Sequence, residues 1–159
     1  MLNNYLSLKE NILNTETDLS QWNVLVVDDD SDIHVVTRFC LSHIVIGDRS
    51  LKLFDAYSAR DAIELLKGDF SIDLVLLDVV MENPVAGLEV ARWLHEDAER
   101  PNTPKIILRT GQPGSHQMSE IGKNRYIDAV LEKSSTTYNK LISTISALLL
   151  DSAAQVVRH

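Results

Sequence analysis

The sequence predicts an α/β fold, a (βα)5 doubly wound sheet of five parallel strands. Three observations predict it. Apolar runs rich in β-branched residues alternate with segments of helical period along most of the chain. The run "IDLVLLDVV" is apolar enough to be a strand buried on both faces. Alternating strands and helices of this kind build a parallel sheet with helices on both sides.

The elements follow in order. Residues 1–21 are rich in Asn, Ser, Thr and Glu and read as a loose leader or a short exposed helix. "NVLVV" is the first strand, bounded by aspartates, and "SDIHVVTRFCLSHI" is the first helix, with Ser31 or Asp30 as its N-cap. "LKLFDAY" is the second strand. "SARDAIELLKG" is a helix opening on Ser58 and closing at Gly68. "IDLVLLDVV" is the third strand, and "AGLEVARWLHEDA" an amphipathic helix ended by "ERPNTP". "KIILRTG" is the fourth strand, "SHQMSEIGKN" a short fourth helix, "IDAVLEK" the fifth strand and "STTYNKLISTISALLLDSA" the closing fifth helix.

Composition narrows the function classes. With 159 residues, 45% hydrophobic and 24% charged, the chain is long enough for one domain with a substantial core. A net charge of −8 speaks against a nucleic-acid partner and for a cation or a basic protein face. A single cysteine, Cys40, excludes an intrachain disulfide and reads as a small core residue in a reducing compartment. The opening residues carry no secretory pattern and no run is long enough to span a bilayer, so the expected location is cytoplasmic, with no membrane partner.

In open α/β sheets the chemistry gathers outside the carboxyl ends of the strands. Here the first strand ends in Asp28 and Asp29, the third in Asp78, the fourth in Thr110, and the fifth runs into Lys133. Three carboxylates crowded at one edge need a cation, and oxygen ligands with open positions suit Mg²⁺. A carboxylate can attack phosphorus to give an aspartyl phosphate, and a lysine can share the charge of the transferring group. Asp30 fits helix-start chemistry instead. Each residue alone has a plainer reading, as a solvated charge, a turn residue or a β-branched strand residue; the coincidence of all five at matching strand ends argues against that. The five histidines do not cluster and read as structural or exposed, and Trp22 and Trp93 read as packing residues. "TGQPG" matches no phosphate-loop spacing.

The motifs "VLVVDDD", "LVLLDVVM", "IILRTG" and "VLEKS", in this order, resemble the receiver domain of two-component response regulators over about residues 22–150, leaving 151–159 as a tail. The resemblance implies a flavodoxin-like sheet with strand order 2-1-3-4-5. It implies Asp78 as the phosphoacceptor, and Mg²⁺ held by Asp28, Asp29, Asp78 and the backbone carbonyl of Val80. Thr110 would be the switch hydroxyl and Lys133 the phosphoryl-binding lysine. The phosphodonor would be a histidine kinase or a phosphotransfer protein. Output would pass through the fourth helix, fifth strand and fifth helix, to a homodimer partner or to a fused or separate output domain. The chain would be a regulatory phospho-acceptor, turning over nothing but its own phosphoryl group.

More narrowly, "DIHVVTRFCL", "LLDVVMENPVAGL" and "IILRTGQPG" look like receivers found upstream of HD-GYP-type cyclic-di-GMP phosphodiesterase regions. The sequence departs from the common receiver pattern in three places. Val130 stands where an aromatic switch residue is usual, Ser134 where proline follows the lysine, and Glu82 where proline is usual in the loop after Asp78. Two competing readings are a Mg²⁺-dependent phosphatase of the haloacid-dehalogenase type and a pseudo-receiver that binds partners without accepting phosphate. The first lacks the expected Gly-Thr after its first-strand aspartates. Val80 and Gln112, the residues two beyond Asp78 and Thr110, bear on phosphoryl lifetime, because valine cannot hydrogen-bond an attacking water.

Overall fold

The computed structural model describes residues 21–96, 102–111 and 125–156. The expected leader before residue 21, the helix at 115–124, Gln112, Gly114, His116 and His159 lie outside them. The element order is β1 (Gln21–Val27), α1 (Ser31–Leu41), β2 (Val45–Ile46), β3 (Arg49–Ala56), α2 (Ala59–Leu66) and β4 (Leu74–Asp78). It continues with α3 (Ala86–Glu96), β5 (Lys105–Thr110), β6 (Ala129–Glu132) and α4 (Tyr138–Val156).

The sheet order is β2-β3-β1-β4-β5-β6. The pairs β1–β3, β1–β4, β4–β5 and β5–β6 are parallel. The five predicted strands therefore lie in the expected order 2-1-3-4-5, and the fold class is as read. The correction is a sixth strand: β2 pairs antiparallel with β3, Val45 opposite Ser50 and Ile46 opposite Arg49. Gly47 and Asp48 form the two-residue connection, both with positive φ, +55° and +66°. Such a turn matches the twist of the strands it joins, and Gly and Asp are among the residues that accept it. The predicted first helix stops at Leu41 rather than Ile44 because this hairpin begins there.

Alternation along the strands divides the core into two layers. Leu25, Val27, Val75, Leu77, Ile106 and Leu108 face one way, onto Ala62 and Leu66 of α2 and Val90, Ala91 and Leu94 of α3. Val24, Val26, Leu74, Leu76 and Ile107 face the other way, onto Leu41 of α1 and Leu141, Ile145 and Leu149 of α4. All five residues of β4 are buried, as its two-sided apolar pattern requires. Cys40 packs beside the second layer, only partly buried. Trp22 is buried, donates its indole N–H to the Ile46 carbonyl at 2.9 Å, and carries the Arg49 guanidinium over its ring. The last helix runs on to Val156, through residues read from sequence as a tail. No described helix is long and apolar enough to cross a membrane.

Candidate functional site

Helix starts and strand ends bring the site together. β1 and β4 are neighbours with Val27 opposite Leu77, so Asp28 and Asp78, one residue further on, leave the sheet side by side. β4 and β5 pair Asp78 with Arg109, and β5 and β6 pair Thr110 with Glu132. The Lys133 N–H then donates to the Thr110 carbonyl at 2.7 Å, which ties the lysine to the end of β5. All five polar residues read from sequence therefore reach the carboxyl edge of the sheet.

The first of them, Asp28, is 1% exposed and Asp78 is 4% exposed, whereas Asp29 is open to solvent. Carboxylate oxygens of Asp28, Asp29 and Asp78 all lie within 4.8 Å of one another. Lys133 Nζ stands 2.7 Å from Asp28 Oδ2 and 2.9 Å from Asp78 Oδ2, to which it donates a hydrogen bond. The contact with Asp28 is close but off the line of a hydrogen bond, so Oδ2 is a buried oxygen held by charge alone. Asp28 Oδ1 accepts the Asp30 N–H at 3.0 Å. Asp30 is the N-cap of α1, accepting the Asp32 N–H at 2.9 Å, which separates its role from that of Asp28 and Asp29.

Burial and charge set the ionisation of the site. Burial pushes the Asp78 carboxyl up, the Lys133 hydrogen bond and charge pull it down, and the charge of Asp28 adds to the rise; the net direction is up. Burial alone would lower the Lys133 ammonium, but the close carboxylates of Asp28 and Asp78 outweigh it and the ammonium lies above its ordinary value. The ammonium charge is thus favoured while the Asp78 charge is disfavoured, because the carboxyl is the more deeply buried partner.

The loop after Asp78 is short of room. Gly87 N–H donates to the Val79 carbonyl at 3.1 Å, laying the start of α3 against the end of β4. A Cβ on Gly87 would stand 2.0 Å from the Asp78 carbonyl oxygen. Val80 N–H faces Asp78 Oδ1 at 3.4 Å, and the Val80 side chain is half exposed beside the site. Glu82 leaves the loop to accept the Ala59 N–H at 2.9 Å, supplementing the Ser58 cap of α2. Thr110 is buried at the end of β5, and Gly111 beside it has open space where a Cβ would lie. Val130, at the usual aromatic position, is partly buried against the first core layer.

Two residues at the site were not singled out by sequence. His34 is buried against Asp28, with its Nε2 2.7 Å from the Asp28 carbonyl oxygen. Arg109 donates from Nη1 to Thr37 Oγ1 at 3.4 Å; burial lowers its guanidinium from the ordinary value, against the opposing charges of Asp28 and Asp78. The available signal was helical spacing: His34, Thr37 and Leu41 form the buried face of α1, while Val35, Val36 and Phe39 face solvent.

Comparisons with known proteins agree with this geometry. Residues 24–146 match the family described as the response regulator receiver domain. The chain is 34% identical over 128 residues to the 3'3'-cGAMP-specific phosphodiesterase 2 of Vibrio cholerae, a match covering 80% of this chain and 24% of that protein. The chain thus spans about a quarter of that relative's length. Among solved structures, a CheY-like receiver domain from Methanospirillum hungatei superposes with a TM-score of 0.68 at 24% identity, covering 86% of this chain and 99% of the other. The receiver domain of an HD domain-containing protein from Pseudomonas fluorescens gives 0.71 at 20% identity, covering 88% and 95%.

Proposed function

The chain belongs to the response regulator receiver domain family, and from that membership we propose that it is a phospho-accepting switch in which Asp78 takes a phosphoryl group from a histidine kinase or a phosphotransfer protein. The observation that carries this reading is Lys133 Nζ lying within 3 Å of both Asp28 and Asp78, beside carboxylate oxygens of Asp28, Asp29 and Asp78 that share one 4.8 Å cluster.

The donor set fits Mg²⁺: it is all oxygen, partly open through Asp29, and includes the buried Asp28 Oδ2 that no aligned hydrogen bond satisfies. Asp28, Asp29, Asp78 and the Val80 backbone carbonyl would hold the ion. When bound, Mg²⁺ supplies positive charge that offsets the carboxylates and the phosphoryl oxygens. In the transfer, an Asp78 carboxylate oxygen attacks phosphorus, the new O–P bond forms as the N–P bond to the donor imidazole breaks, and the electron pair leaves with that nitrogen. Lys133 holds a phosphoryl oxygen, giving up part of its present contact with Asp78. The Thr110 hydroxyl bonds another phosphoryl oxygen and so reports its arrival to the segment after β5.

The role is regulatory, not that of an enzyme acting on an external substrate. The relative in Vibrio cholerae is named for cGAMP phosphodiesterase activity. We read this receiver as the input to a cyclic-dinucleotide output of that class, including cyclic-di-GMP, fused or separate. A homodimer formed through β6, α4 and the segment between β5 and β6 is the alternative output.

Intact-mass measurement after acetyl phosphate and Mg²⁺ tests the assignment. One phosphoryl group on the wild type, and none on Asp78→Ala, is the expected result. An unlabelled wild type supports a pseudo-receiver, and repeated turnover of a generic phosphoester supports a phosphatase.

A further inference from the structure

We propose that His34 is a positioning residue for the cation: by holding the Asp28 carbonyl from behind, it presents the Asp28 carboxylate at a fixed place. The proposal rests on the reading of Asp28 as a metal-holding carboxylate.

The geometry is closed on several sides. His34 is 4% exposed on the inner face of α1. Its Nε2 lies 2.7 Å from the Asp28 carbonyl oxygen, which can only accept, so Nε2 donates. Nδ1 lies 2.8 Å from Asp55 Oδ1 on β3. Arg38, one turn further along α1, holds the other oxygen of Asp55. The ring also packs on Tyr57, with centroids 4.3 Å apart. An imidazole held at both nitrogens and across its face has little freedom to turn.

The need for such a hold comes from the carboxylates. The ladder of β1 ends at Val27, paired with Ala56 on one side and Leu77 on the other. Asp28 keeps one backbone bond beyond it, from its N–H to the Ala56 carbonyl at 3.1 Å. Its carbonyl depends on His34. Repulsion from Asp29 and Asp78 acts on the Asp28 side chain, and an unanchored strand end would recoil from it. A group behind a ligand that orients it in this way usually changes metal affinity rather than the chemistry at the metal.

Calorimetric Mg²⁺ titration of the wild type and of His34→Leu, His34→Gln and Asp55→Ala tests the proposal, with acetyl phosphate labelling followed in parallel. His34→Leu is expected to bind Mg²⁺ on the order of tenfold more weakly, with labelling restored at saturating Mg²⁺. His34→Gln, which keeps a donor within reach of the carbonyl, should bind more tightly than His34→Leu. If His34→Leu does not fold, Asp55→Ala, at a part-exposed position, is expected to weaken Mg²⁺ in the same direction. A purely structural role would lower the melting temperature and leave the Mg²⁺ dissociation constant of the folded protein unchanged. Wild-type affinity in folded His34→Leu, or in Asp55→Ala, overturns the proposal and leaves the phosphoacceptor reading standing. A wild type that neither binds Mg²⁺ nor accepts a phosphoryl group overturns both.

Discussion

Gly87 lies so close to Asp78 that a Cβ on it would stand 2.0 Å from the Asp78 carbonyl oxygen and 2.9 Å from its carbonyl carbon. Both obstacles are backbone, so a side chain here must move either the end of β4 or the start of α3. Gly87→Ala is expected to cost about 1–3 kcal/mol, the range of overpacked sites, and to slow labelling of Asp78 by more than the loss of folded protein explains. Urea unfolding with a parallel acetyl phosphate assay checks both halves.

In the metal-free protein Asp78 should titrate above an ordinary aspartate. Its folded carboxyl is raised above the ordinary 3.8, by burial first and by the charge of Asp28, against the pull of Lys133. In Mg²⁺-free protein that stays folded, the Asp78 carboxyl carbon resonance should titrate with a midpoint above 3.8. Lys133→Ala removes two of the lowering influences, leaving the Val80 N–H, and should move that midpoint further up. The linkage has the same sign. A raised carboxyl contributes stability that is full below 3.8 and is lost as pH rises through the folded value. Lys133, raised above 10.5, contributes stability that is full below 10.5 and is lost at more alkaline pH.

Val80 is half exposed beside Asp78 and offers an attacking water no side-chain hydrogen bond. The aspartyl phosphate should therefore be long-lived, and Val80→Asn should hasten its loss. Decay of labelled protein in Mg²⁺ at constant pH measures this, and equal half-lives would dispose of the idea.

Phe39 is 85% exposed, with Val35 and Val36 beside it on α1, the helix that starts immediately after the acidic pair. A donor protein must approach this edge of the sheet, and an apolar strip there offers it a footing. Phe39→Asp should change stability by no more than about 0.5 kcal/mol and leave acetyl phosphate labelling intact. Transfer from a phosphorylated partner protein should slow. Equal transfer rates would show that the donor docks elsewhere.

The site was legible because its five side chains follow apolar strands whose ends are marked in the sequence: Asp28 and Asp29 after "NVLVV", Asp78 after "LVLL", Thr110 after "IILR" and Lys133 after "VLE". A parallel sheet converts those ends into one edge, so no long-range pairing had to be guessed. β2 escaped because two residues carry no period, and the turn at Gly47 and Asp48 shows itself once their positive φ and the pairing of β2 with β3 are seen. His34 was read as one of several unclustered histidines because its partners, the Asp28 carbonyl and Asp55, meet it only after α1 has packed across β1 and β3. Arg109 sits in an apolar strand pattern, and its approach to Thr37 crosses from β5 to α1, a contact no local spacing encodes.

The bridge from Lys133 to Asp28 joins the residue just beyond the first described strand to the residue just beyond the last. During synthesis the amino-terminal half of the chain emerges first, at about 5–20 residues per second, carrying an acidic cluster with no lysine to meet it. Until residue 133 has cleared the ribosome and β6 has docked, the nascent chain lacks the contacts of Lys133 with Asp28 and Asp78. If Asp78 accepts a phosphoryl group as proposed, competence to do so would be tied to completion of the sheet.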